Sequence, residues 1–121
     1  MTTLEILIEA RRLLAQGWCQ HRCQWIDKGD VVERDIVTAL NDATGGRGMG
    51  ELGTARQRRA YQLVYEAAGG AGIIAFNDDP RTTIELVLFT MDNCIAEQEA
   101  DDKQAARLDR SLAAEHRPVE A

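Results

Sequence analysis

Apolar residues return every three or four positions in four separate stretches of this chain, and each stretch opens on a polar start signal. In the first, Leu4, Leu7, Ile8 and Leu14 share a helical face that Ile6, Ala10 and Leu13 widen; Thr2 and Glu5 form a T-x-x-E capping box, and Gly17 stops the helix. The second runs through Val32, Ile36, Val37, Leu40 and Ala43 behind Asp30 and Glu33, and ends at Gly45 and Gly46. The third carries Ala60, Tyr61, Val64, Ala67 and Ala68 behind Thr54 and Gln57, with Gly69, Gly70 and Gly72 as terminators. The fourth carries Ile84, Val87, Leu88, Met91, Cys94 and Ile95 behind Thr82 and Glu85. Ile73 to Phe76 is a short, continuous apolar run, predicted to be extended and buried, and Asn77 to Pro80 turns the chain into the last helix.

One candidate strand cannot build a sheet, so the expected fold class is all-α: a compact bundle of about four helices with one short extended segment. Trp18 to Gly29 is expected to be a packed connection or a short helical turn, and Gly45 to Gly53, with five glycines in nine residues, a surface loop. Beyond Ala96 the stripe thins, leaving only Leu108 and Leu112 to bury. The domain reading is therefore a single helical domain over residues 1–98 and a charged C-terminal tail over 99–121, a frayed helix or disordered.

Composition adjusts this picture in two ways. Aromatic residues make up only 5% of 121 residues, so the core must be aliphatic, which suits closely packed helices. Twenty Asp and Glu against fourteen Lys and Arg give a net charge of −6, which argues against direct nucleic-acid binding driven by phosphate neutralisation. Charged residues interrupt every apolar run, so no membrane span is expected. Three cysteines and an N-terminus without a leader pattern predict a cytoplasmic protein with free thiols.

The candidate chemistry is sparse. Gly48-Met49-Gly50-Glu51-Leu52-Gly53 matches G-x-G-x-x-G but follows a helix where a dinucleotide fingerprint needs a strand, so no cofactor is expected. Cys19, His21 and Cys23 are secondary metal candidates, three soft ligands where a closed zinc site needs four; the reading is two small hydrophobes and an exposed histidine, with no metal. No constellation supports a catalytic assignment. The interaction candidates are the arginines around the glycine loop, Arg47, Arg56, Arg58 and Arg59, and the polar turn Asn77, Asp78 and Asp79.

Gly17-Trp18 after the first helix, the apolar-Phe76-Asn77-Asp78-x-Pro80 turn, then Thr83 and a Glu-x-Val-Leu helix resemble a family of small bacterial and bacteriophage proteins grouped as a domain of unknown function. The resemblance covers roughly Leu4 to Ile95; Phe76 stands where many members carry Trp, and Val37 to Ala39 lack their Cys. It implies a small soluble protein, encoded by a phage or prophage, and supplies no mechanism. The functional expectation is a non-enzymatic interaction or regulatory protein with a protein partner, acting as an inhibitor of a host complex. The alternative is a small ligand-binding protein or enzyme built on the Asn77-Asp78 turn. Spare apolar faces on the first and last helices leave a homodimer open.

Overall fold

The computed structural model describes residues 1–21, 27–28, 31–45 and 55–115. Five helices lie among them: α1 (Thr3–Gln16), α2 (Ile36–Ala43), α3 (Ala55–Ala67), α4 (Ile73–Asp78) and α5 (Ile84–Glu115). Two two-residue strands, β1 (Asp27–Lys28) and β2 (Val31–Val32), pair antiparallel with Asp27 opposite Val32. The class is all-α: among the described residues, every buried residue of the core cluster lies on a helix.

The capping box that opens α1 is complete. Glu5 N–H donates to the Thr2 hydroxyl at 3.1 Å and Thr2 N–H to the Glu5 carboxylate at 3.0 Å, satisfying two groups the helix itself cannot pair. Helix α1 buries Ile6, Leu7, Ala10, Leu13 and Leu14, an unbroken three-four stripe, and packs against α2, α3 and α5. Ile8 falls on the far side of that stripe and is exposed. The core closes with Ile36, Ala39 and Leu40 from α2, Ala60, Leu63 and Val64 from α3, Ile73 from α4, and Val87, Met91 and Cys94 from α5. Arg11 on α1 clamps Asp92 on α5 at 2.7 Å over the rim of this core.

Four expectations are corrected. Ile73 to Phe76 is helical, not extended: a four-residue apolar run fits either state, and Phe76 N–H closes a helical turn onto Gly72 O at 3.1 Å. Gly72 sits at φ +103°, a conformation that lets the chain enter α4 directly after α3 and its glycines. The second helix begins at Ile36, not at Asp30. Asp30 lies outside the described residues, Val31 and Val32 are in a strand, and Asp35 is the cap, its carboxylate accepting Thr38 N–H at 2.7 Å. The last helix is capped by Thr83, whose hydroxyl accepts Leu86 N–H at 3.2 Å, while Thr82 donates to Phe76 O at 2.7 Å. Finally, Cys19 is disulfide-bonded rather than a free thiol, whereas Cys94 is free and buried.

The third capping pair falls partly outside the described residues, since Thr54 is not among them, and so does the glycine-rich stretch beyond Gly45. Helix α3 buries Gln57, Ala60, Leu63 and Val64 and leaves Ala67 exposed, a shift of its face by one turn from the expected one. The stretch from residue 99, expected as a frayed helix or a disordered tail, is helical as far as Glu115, and every residue from Glu99 to Glu115 is exposed. Its Ala, Gln, Lys and Arg content favours helix, and extending an existing helix avoids the cost of nucleating one. No helix among the described residues is long and apolar enough to cross a membrane.

Candidate functional site

Of the sequence-selected residues, Asn77 is the best connected, and the structure buries it to 2% exposure at the end of α4. Its Oδ1 accepts Trp18 Nε1–H at 2.9 Å and Ile36 N–H at 3.1 Å; its Nδ2 donates to Cys19 O at 3.1 Å and to Asp78 Oδ1 at 3.0 Å. An amide side chain has two acceptor sites and two donors, so this one is fully occupied. The Ile36 bond is also what allows α2 to start where it does, because it pairs an N–H of the first turn that the helix leaves open.

The segment that reaches Asn77 is itself held on its other edge. Arg34 N–H donates to Gly17 O at 2.9 Å and Cys19 N–H to Arg34 O at 3.2 Å, a parallel bridge centred on Trp18 and Arg34. Arg34 is anchored in turn by Asp42 of α2 at 2.7 Å, with both side chains largely buried. Gln20 extends the clasp: its Nε2 donates to Asn77 O at 3.1 Å and to Asp79 O at 2.8 Å. Residues 17–20 are thus threaded between the entrance of α2 and the α4–α5 turn, and polar groups on both sides are paired.

Asp78 and Asp79 lie at the outer edge of this clasp and do different things. Asp78 Oδ1 accepts His21 N–H at 2.8 Å, fixing His21 at φ +55°, with the imidazole itself exposed. That backbone N–H, then the Asn77 amide, hold the Asp78 carboxyl below its ordinary value, against a smaller opposing effect of burial. Asp79 folds over the turn, accepting Arg81 N–H at 2.8 Å and the Arg81 guanidinium at 3.0 Å, and the side-chain bond is the main cause of its lowered pKa. The two carboxylates do not form a pair for acid–base work, because each already serves a local backbone N–H.

The arginine candidates fall apart as a group. Arg47 lies outside the described residues. Arg56 and Arg58 are exposed on the first turns of α3, and Arg56 contributes its backbone carbonyl to the Thr3 hydroxyl at 3.1 Å, tying α3 to α1. Arg59 reaches across to Asp101 of α5 at 2.9 Å. Of the secondary metal candidates, Cys19 is in a disulfide and His21 is exposed, while Cys23 lies outside the described residues. Among the described residues no three His, Cys, Asp or Glu side chains are placed to hold a metal ion. Burial pushes the Cys94 thiol up to about 11, so it is protonated and unreactive at neutral pH.

Sequence reasoning missed the partners of Asn77. Trp18 and Cys19 are far from it along the chain, and only the joint presence of Gly17-Trp18 and Phe76-Asn77-Asp78 in one resemblance hinted that the two stretches belong together. With its geometry laid out, the molecule is an all-α domain whose connections meet at one buried asparagine. The chain belongs to a family of unknown function, DUF6197, whose model matches residues 1–97. No curated protein and no solved structure matches it. The exposed part of α5 lies beyond the matched residues.

Proposed function

We propose that this is a small, soluble, cytoplasmic interaction protein without enzymatic activity, encoded by a phage or prophage, which regulates a host complex by binding to it. The observation that carries this reading is the full occupancy of Asn77: the residue best placed to serve a ligand has all four of its side-chain hydrogen bonds made within the fold. Asp78 and Asp79 are likewise engaged by backbone N–H groups, and the buried thiol is protonated. The acidic balance of the chain and the charged exposed length of α5 supply the surface such a protein would use. An acidic protein of this size inhibits a nucleic-acid-binding complex by presenting carboxylates where phosphates would sit.

The test is affinity capture from host lysate with the whole chain as bait at physiological salt, beside an unrelated acidic helical protein. Recovery of one protein or complex by this chain alone is the expected result. Turnover of a small molecule by the purified chain, abolished by Asn77→Asp at unchanged melting temperature, would overturn it in favour of an Asn77-centred enzyme.

A further inference from the structure

The spacing of the buried stripe of α5 continues past the point where burial stops. Val87, Met91, Cys94 and Gln98 are buried at alternating spacings of four and three, and the same alternation continues through Asp101, Ala105, Leu108 and Leu112. Beyond Gln98 this seam leaves the body of the protein on a helix that projects by roughly 25 Å, and Leu108 and Leu112 are 59% and 45% exposed. Gln98 stands at the boundary, 9% exposed, with its Nε2 on Asp102 at 2.8 Å and its buried Oε1 without a hydrogen-bond partner among the described residues. A buried acceptor left open costs stability, and its place is at the edge of the uncovered seam.

We infer that the α5 seam from Gln98 to Leu112 is a docking surface for a basic amphipathic helix of a partner protein, a deepening of the interaction reading above and dependent on it. Helix α3 shows the chemistry where it covers the start of the same seam: Leu63 packs beside Cys94, whose thiol contacts Leu63 O at 3.6 Å, and Arg59 pairs with Asp101, about two turns further along α5. The uncovered continuation repeats those elements, with Ala105, Leu108 and Leu112 as the apolar line and Asp102 and Asp109 along one border. Lys103, Arg107 and Arg110 fall on the opposite face of the helix, so the seam side is acidic. A second copy of the same seam would set carboxylates against carboxylates, whereas a helix with Leu at three-four spacing and Arg on its flank meets both features.

The probe is a synthetic amphipathic peptide with that Leu stripe flanked by Arg, compared by fluorescence anisotropy with a counterpart flanked by Glu, against the full chain. The Arg-flanked peptide is expected to bind. Its affinity should fall by about tenfold or more for the double variant Leu108→Ala/Leu112→Ala, with unchanged helicity by circular dichroism, and be unaffected by Glu99→Gln on the far side of the helix. Absence of binding, equal binding of the Glu-flanked peptide, or equal binding by the double variant would overturn the inference. So would sedimentation of the wild-type chain as a dimer that the double variant dissociates, since a second copy would then be the occupant. Should lysate capture recover the same protein with wild type and double variant alike, the inference fails while the interaction reading stands; capture by neither sinks that reading itself.

Discussion

Two polar regions of this molecule, the clasp around Asn77 and the exposed length of α5, behave in opposite ways. In the clasp an amide, an indole N–H and two backbone groups are withdrawn from water and paired with one another, so each bond is strong and each lost partner is expensive. On the exposed α5 the charges remain in water, where pairing is weak and salt-screened. The difference teaches that polarity alone does not mark a functional surface: the residues most suggestive of a site in the sequence hold the fold together, while the most exposed charged stretch is the plainer one.

The comparison breaks most visibly at Asn77. Asn77→Ala leaves the Trp18 indole N–H, Ile36 N–H and Cys19 C=O without their partner, and urea denaturation should show a loss of about 3 kcal/mol; a loss below the size of a surface substitution would mean that water replaces the amide and the clasp is not closed. Trp18→Phe keeps the ring and removes one donor, so the same measurement should give about 1 kcal/mol. On the exposed side, Arg59→Ala removes an ion pair whose partners are both about half exposed, and the expected cost is below roughly 1 kcal/mol, shrinking further in molar salt.

A smaller effect concerns pH at the clasp's edge. Because the folded Asp78 carboxyl titrates below its ordinary 3.8, its contribution is complete above that value and is lost as pH falls through the lower folded one. Protection of the His21 amide, measured by NMR as exchange relative to the intrinsic rate at each pH, should therefore fall only in acid below about pH 4, and Asp78→Asn should remove that step. Last, Leu108→Ala/Leu112→Ala should leave the stability of the isolated protein within about 0.5 kcal/mol of wild type; a larger loss would show that the two leucines already pack within the chain.

Local grammar was legible wherever the deciding interactions were local. The α1 box needs only Thr2 and Glu5, and the α5 face needs only the spacing of Val87, Met91 and Cys94, so both could be read along the chain. The all-α class followed from the same stripes. Two of the misreadings share a cause: a more distant partner outweighed a local signal. Asp30 and Glu33 form a plausible helix start, but Asp35 and the Asn77 side chain set the beginning of α2. Thr82 fits a box with Glu85, yet its hydroxyl serves Phe76 O, and Thr83 takes over the cap. Ile73 to Phe76 was ambiguous by length alone. Of the site candidates, Asn77 reads along the chain only as part of a polar turn, because the groups that fill its hydrogen-bonding capacity come from segments that no local window includes.

Helix α5 is one continuous element from Ile84 to Glu115, and that continuity has a rotational meaning. The direction in which Leu108 and Leu112 point is fixed by the number of residues separating them from Met91 and Cys94 in the core. Removing one residue after Gln98 would swing both leucines through about 100° and carry the basic back of the helix towards the side they now occupy. Removing seven would shorten the arm by two turns and preserve their bearing to within about 20°. The core therefore acts as the reference of a dial, and the residue count between Gln98 and Leu108 sets where the far end of the molecule aims.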